Sequence, residues 1–214
     1  DKVILQIENL DSIDVLINNA GALFLKREVN SKGIEKTFAV NYLSHFYLTL
    51  SLIKVIKKTK NSKLINISSM VHKFARLNLS DINFSKNYNG YIAYFNSKLM
   101  NLLFSYKISR IYHNDINCYA ISPGWLNTNF ANNNHSNIRS LLNFARDIFA
   151  KKPSYIADKI FNICTNQKYL NDSGKYFAKN KITKSSDLSY DEDLQDKLWE
   201  KSLKMINAQK NEIK

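Results

Sequence analysis

Apolar and polar positions follow one another along this chain in two rhythms, and the places where one rhythm gives way to the other predict its elements. Asp14-Val15-Leu16-Ile17-Asn18 is a short apolar run entered from a polar turn and left through Asn19-Ala20-Gly21, the pattern of a buried strand in a parallel sheet. Ile34, Phe38, Leu43, Phe46, Tyr47, Leu50 and Ile53 then recur at three- and four-residue steps, which predicts one long helix over residues 31–58 with Ser31 as its cap. Lys63 through Ser69 reads as the second strand. The stretch that follows, about residues 78–90, is rich in Asn, Ser and Asp and long for a compact domain, which favours a functional excursion over a simple turn. Leu99, Leu102, Leu103, Tyr106 and Ile111 mark the buried side of a helix from Tyr91 to Tyr112. Ile116 to Ile121 is the third strand, ended by Ser122-Pro123-Gly124. Helices near residues 137–150 and 154–166, a short strand at Lys175–Ala178 and a charged amphipathic helix from Tyr190 to about Ala208 complete the pattern.

Strands separated by helical stretches imply crossover connections and an α/β, doubly wound parallel sheet with helices on both faces. A length of 214 residues fits one domain, 1–214, and no internal repeat or flexible linker divides it. Sheets of this kind bind ligands beyond the carboxyl ends of their strands. Asn18 to Gly21, Ser69 and Pro123 to Thr128 all fall there, so a site would be assembled from separate segments.

Composition changes this picture little. The formal charge of +13 comes from basic residues spread through every segment, which reads as a well-solvated surface and not as a nucleic-acid-binding tract. The two cysteines, Cys118 and Cys164, form no framework and no metal-ligand spacing, as expected of free thiols in a reducing compartment. The four histidines, His45, His72, His113 and His135, are scattered and read as polar surface or helix residues. No run of about 18 apolar residues and no basic-then-apolar leader is present, so we expect no membrane span within this chain and a cytoplasmic or cytosol-facing location. A membrane anchor upstream of Asp1 is compatible with that expectation, as is a homo-oligomer.

The candidate chemistry centres on Tyr94-Phe95-Asn96-Ser97-Lys98. Positions i and i+4 share a helix face, so the phenol and the ammonium can stand side by side. A phenol titrates near pH 10, and acid-base work near neutrality needs a fall worth about 3–4 kcal/mol. A cation roughly 4 Å away supplies about that much at an effective dielectric near 20. Ser69, at the mouth of the second strand, could donate to a carbonyl oxygen while Tyr94 moves its proton. Asn41, unfavourable inside a helix unless it has a bonding role, could hold a water that links Lys98 to solvent. Read singly, each residue has a bland explanation: a local phenol contact, a polar strand exit, a solvent-facing amide. Chance also supplies a second Tyr-x-x-x-Lys at Tyr155–Lys159, without the flanking strands.

Asn18-Asn19-Ala20-Gly21, Val40-Asn41, Asn66-Ile67-Ser68-Ser69, Tyr94 to Lys98 and Pro123-Gly124 through Thr128 occur in the order of the signatures of the short-chain dehydrogenase/reductase family, which the whole chain resembles. Val40 to Phe46, Ser97 to Phe104, Ser173 to Phe177, Leu198 to Ser202 and the 25 positions from Ser69 to Tyr94 resemble its retinol dehydrogenase and WW-domain oxidoreductase branch. The resemblance implies a Rossmann-like fold and NAD(P)-dependent interconversion of an alcohol and a carbonyl compound, with NADP favoured over NAD. It implies Asn41, Ser69, Tyr94 and Lys98 as the catalytic four. Asn18, Ala20 and Gly21 would line the adenosine-ribose side of the cofactor, Tyr94 and Lys98 would also touch it, and Pro123, Gly124 and Thr128 would hold its nicotinamide end.

One part of the family pattern is absent. The five glycines include no Gly-x-Gly pair, so the strand, Gly-rich turn and helix that would grip a pyrophosphate are missing, together with the first three strands of the usual fold. We therefore expect an N-terminally truncated form, with the Asp14–Asn18 strand at a sheet edge and no tight dinucleotide binding by these residues alone. A non-catalytic remnant that keeps the fold and binds partners is the alternative. The substrate would be a small carbonyl compound or alcohol; Trp125, Phe130, Leu141, Phe144 and Phe149 favour an apolar, lipid-like one.

Overall fold

The computed structural model describes residues 10–123, 153–178 and 181–211, together with Ile4, Gln6 and Ile7. Val15–Asn18 (β1), Ser62–Ile67 (β2), Ile116–Ser122 (β3) and Lys175–Ala178 (β4) lie side by side in chain order, all parallel. Lys181–Ile182 (β5) pairs antiparallel with β4. Two residues carry no period of their own, so β5 was not legible as a strand; it exists because Phe177 and Ala178 pair across to Ile182 and Lys181. The helices are Lys36–Ile56 (α1), Gly90–Ile111 (α2), Pro153–Thr165 (α3) and Glu192–Asn211 (α4). The helix expected near residues 137–150 lies outside the described residues.

The period of two along the strands shows why the sheet is covered on both faces. Leu64, Ile116 and Cys118 turn to one side and meet Phe38, Tyr42, Phe46, Leu103, Phe104 and Leu198 of α1, α2 and α4. Ile65, Ile67, Tyr119 and Ile121 turn to the other and meet Ile160 and Ile163 of α3. Tyr42 is 1% exposed among the rings of Phe38, Phe46 and Phe104, and its hydroxyl is satisfied by Ser202 Oγ of α4 at 2.9 Å.

α1 departs from its predicted form in two ways. Its cap is Glu35 and not Ser31: the buried carboxylate accepts from Thr37 N at 2.8 Å and Phe38 N at 2.7 Å. Ser31 lies in a turn, where Asn30 Oδ1 accepts from Lys32 N and Ile34 N and Gly33 takes φ 72°. One wide π turn, Ala39–Leu43, also interrupts the helix and has Asn41 at its middle. By length and composition Lys36–Ile56 is long and apolar enough to cross a bilayer, a test that the core helix of a soluble protein also passes; half of its most apolar stretch is buried in the fold.

The connection before α2 is spent largely on holding the loop after β1. Asn83 Oδ1 accepts from Glu35 N at 2.7 Å, and its Nδ2 donates to Gly33 O at 2.9 Å. Tyr88 OH donates to Phe24 O at 2.8 Å, and Arg27 Nε to Phe84 O at 2.7 Å. Gly90 starts α2 so close beneath this loop that a Cβ there would stand 2.3 Å from Phe24 O.

Candidate active site

β1, β2 and β3 end next to one another at Asn18, Ile67 and Ser122, and α2 packs along β2 and β3. Three hydrogen bonds stitch α2 to the end of β2. Lys98 Nζ and Asn101 Nδ2 both donate to Ile67 O, at 3.2 and 3.1 Å, and Ser68 Oγ donates to Lys98 O at 2.8 Å.

Asn41 ties the third wall in place. Its Oδ1 accepts from Ala22 N at 2.7 Å, while its Nδ2 donates to Ala22 O at 2.9 Å and to Ser97 Oγ at 3.0 Å. The loop after β1, the π turn of α1 and the Tyr94–Lys98 turn of α2 therefore share one fully buried amide. The Asn41 side chain thus joins two segments that each carry candidate residues.

Lys98 is 4% exposed, with Ile67 O as its acceptor among the described residues. Burial pushes its ammonium down to about 8. Nζ lies 5.4 Å from the centroid of the Tyr94 ring. The phenol does not show the fall expected from a neighbouring cation: burial pushes it up to about 12. The ammonium faces the ring, and desolvation of the hydroxyl is what raises it.

Ser69 is buried and extended at φ −158°, ψ 156°, and caps the 3-10 turn Met70–Phe74 through a long contact from Val71 N to its Oγ at 3.4 Å. Of the residues expected to line a cofactor, Ala20 and Gly21 are exposed. Asn18 is turned inward: at 2% exposure its Nδ2 donates to Thr49 Oγ1 at 2.9 Å and Asn66 Oδ1 at 2.8 Å, so the side chain holds the fold instead of facing the strand-end opening. Pro123 is half-buried beyond β3, while Gly124, Thr128 and the apolar residues from Trp125 to Phe149 lie outside the described residues. The second Tyr-x-x-x-Lys falls on α3, away from the ends of β1 and β2 in sequence and in element.

Ser97, Asn101 and His72 support the site and were not singled out from the sequence. Ser97 Oγ accepts from Asn41 and donates to Tyr94 O at 2.7 Å. A signal existed: Ser97, Asn101 and Ser105 recur every fourth residue down a helix otherwise marked by Leu99, Leu102, Leu103 and Phe104, a polar stripe on a buried helix. Ser105 Oγ accepts from Asn66 Nδ2 at 2.8 Å. Of the histidines, His45 and His72 are helix residues, on α1 and on the Met70–Phe74 turn, and at 4% and 1% exposure both belong to the interior and not to the surface.

These residues fit one side of a nicotinamide cofactor. A buried ammonium has three donors and, among the described residues, one acceptor, so Lys98 can hold hydroxyls of a ribose. The exposed Gly21 brings backbone close by: a Cβ there would lie 3.5 Å from Lys98 Nζ and 3.6 Å from Asn41 Oδ1. A Gly-rich pyrophosphate turn is not among the residues of this chain.

Comparison with known proteins gives the family and the fold. The family model for short chain dehydrogenase matches residues 1–139, and the chain belongs to that family. Retinol dehydrogenase 14 of Mus musculus is 31% identical over 92% of this chain and 60% of its own length. Polyprenol dehydrogenase of Danio rerio is 32% identical over 91% of this chain and 62% of its own. The chain thus spans about three fifths of the length of these curated relatives. Among solved structures, an uncharacterized protein from Mycobacterium paratuberculosis superposes with a TM-score of 0.67 at 24% identity, covering 94% of this chain and 69% of that one. Carbonyl reductase Sniffer of Drosophila melanogaster gives a TM-score of 0.54 at 18% identity, with coverages of 86% and 72%. At these identities the structural likeness establishes the Rossmann-like, parallel α/β fold.

Proposed function

We propose that this chain carries the proton-transfer part of a nicotinamide-dependent oxidoreductase that interconverts an apolar, lipid-like alcohol and its aldehyde or ketone. The observation that carries the reading is the buried Lys98 beneath the Tyr94 ring, stitched to the strand end that presents Ser69. The bound cofactor supplies or accepts the hydride. Ser69 Oγ donates to the substrate oxygen, and Tyr94 delivers the proton in reduction and takes it back in oxidation. A phenol held near 12 keeps its proton through the neutral range, which suits the reducing direction. Lys98, protonated below about 8, holds ribose hydroxyls and favours the phenolate once the proton has left. Asn41 and Ser97 fix the Tyr94 turn against the loop after β1.

NADP(H) is favoured over NAD(H) on family resemblance, and the lipid-like substrate class on relatives named for retinol and polyprenol. The test is oxidation of NADPH or NADH, supplied at millimolar concentration, by a series of long apolar and short polar aldehydes. Turnover that rises with the apolar length of the aldehyde is expected. A folded chain that oxidises neither nicotinamide with any carbonyl compound contradicts the reading and favours the non-catalytic alternative.

A further inference from the structure

His72 stands three residues beyond Ser69, on the Met70–Phe74 turn that Ser69 caps. Its Nδ1 lies 2.6 Å from Ser69 O, and its Nε2 accepts from Ser186 N at 3.0 Å. A carbonyl oxygen can only accept and an amide N–H can only donate. The two contacts therefore fix one neutral tautomer, with the proton on Nδ1 and a lone pair on Nε2. The main-chain N–H of His72 donates to the same Ser69 carbonyl at 3.2 Å. Two donors on one carbonyl hold the ψ of Ser69, and with it the peptide frame from which Oγ projects.

The far side of the ring meets the segment that follows β5. Tyr176 of β4 packs edge-on against His72, with centroids 5.3 Å apart. Ser185 Oγ bonds Tyr106 OH of α2 and Ser189 Oγ, each at 2.7 Å, and Tyr190 stacks on Tyr106 at 5.1 Å. Gln195 Nε2 donates to Ser189 O at 3.0 Å. Residues 185–190 are thus docked on α2, and His72 is the point at which that dock reaches the end of β2.

We propose that neutral His72 is a positioning residue for Ser69, transmitting the placement of the docked 185–190 segment to the hydroxyl at the site. The proposal rests on Ser69 being the hydroxyl that binds the substrate oxygen.

Protonation would break the link, because an imidazolium presents a proton on Nε2 to the Ser186 N–H, donor against donor. Burial holds His72 below its ordinary range; the Ser69 carbonyl opposes this, and Lys73 on the same turn adds to it. From the neighbouring elements come Tyr176 of β4 and Tyr106 of α2, with Asp187 and Tyr190 in the dock itself and Lys184 just before it. Asp187, the carboxylate among them, is committed to Lys184 at 2.7 Å. Because the folded value lies below the unfolded one, the fold loses stability as pH drops through about 6.5, and the loss stops growing below the folded value.

Nitrogen-15 NMR of the imidazole and of the Ser69 and Ser186 amides tests the proposal on this chain. At neutral pH His72 should carry its proton on Nδ1. It should titrate with a midpoint below about 6.5, with the Ser69 and Ser186 resonances moving at the same midpoint. His72→Phe keeps a ring against Tyr176 and removes both side-chain bonds. There the Ser69 and Ser186 resonances should be flat across that range, and carbonyl reduction at saturating substrate should fall about tenfold with KM within about twofold. Ser186→Pro removes a single N–H at a φ of −68°, already suited to proline, and serves should His72→Phe fail to fold. In it the His72 midpoint should rise and the tautomer preference relax. An Nε2–H tautomer in the unaltered chain, or Ser69 resonances indifferent to the titration of His72, would overturn the proposal whatever the activity. Coupled titration in a chain that reduces no carbonyl compound would keep the hold of His72 on Ser69 and remove the oxidoreductase reading.

Discussion

A lysine that is 4% exposed, with one carbonyl to accept from it among the described residues, is costly to keep charged. Burial places Lys98 near 8 in the fold against about 10.4 in an unfolded chain, so below pH 8 the charged side chain costs ~3 kcal/mol. The sign follows from proton counting: between the two values the unfolded chain holds more protons, so stability rises with pH until the lysine is neutral in both states. Lys98→Met should therefore abolish this rise of stability between about pH 8 and pH 10 in urea denaturation. It should lose carbonyl reduction at the same time. A destabilised Lys98→Met would mean that the ammonium is structural. The pairing of Tyr94 with Lys98 was legible because a four-residue spacing fixes a shared face. The rise of the phenol to about 12 was not, since desolvation depends on what α1, α2 and the loop after β1 enclose together.

At the scale of elements, the apolar runs that became β1, β2 and β3 were legible because every second residue is buried against a helix on one face or the other. The start of α1 was misplaced because Glu35 outcompetes Ser31 only with distant help. Asn83 accepts from its main-chain N–H, and the Tyr88 hydroxyl, 2.8 Å from Phe24 O, also lies 3.0 Å from its carboxylate. The π turn around Asn41 was hidden for a similar reason, as its side chain is spent on Ala22 and Ser97 and nothing in the local spacing records those partners. Long-range polar contacts of this kind also give the 78–90 connection a structural part that its length alone does not record. Gly90→Ala should expose that closeness. A Cβ would meet Phe24 O at 2.3 Å and Leu25 Cα at 2.8 Å, both backbone atoms that must move. We expect a loss of about 2 kcal/mol or more in urea denaturation, and an unchanged midpoint would show that the loop after β1 yields freely.

For the molecule as a whole, β1 forms one edge of the sheet among the described residues, and Ile17 upon it is 42% exposed. The candidate site residues among those described cluster at the ends of β1 and β2 and on α2, and the chain has no Gly-rich turn to hold a pyrophosphate. Calorimetry of this chain with NADPH should accordingly show weak binding, and a low-micromolar Kd would mean that the phosphate grip comes from residues not identified as binding ones.

The most direct measurement is the rate at which NADPH reduces an apolar aldehyde in the chain and in Tyr94→Phe, which keeps the ring beside Lys98 and removes only the hydroxyl. The account predicts a fall of ~1000-fold with folding intact; Tyr94→Phe turning over as fast as the unaltered chain would contradict it.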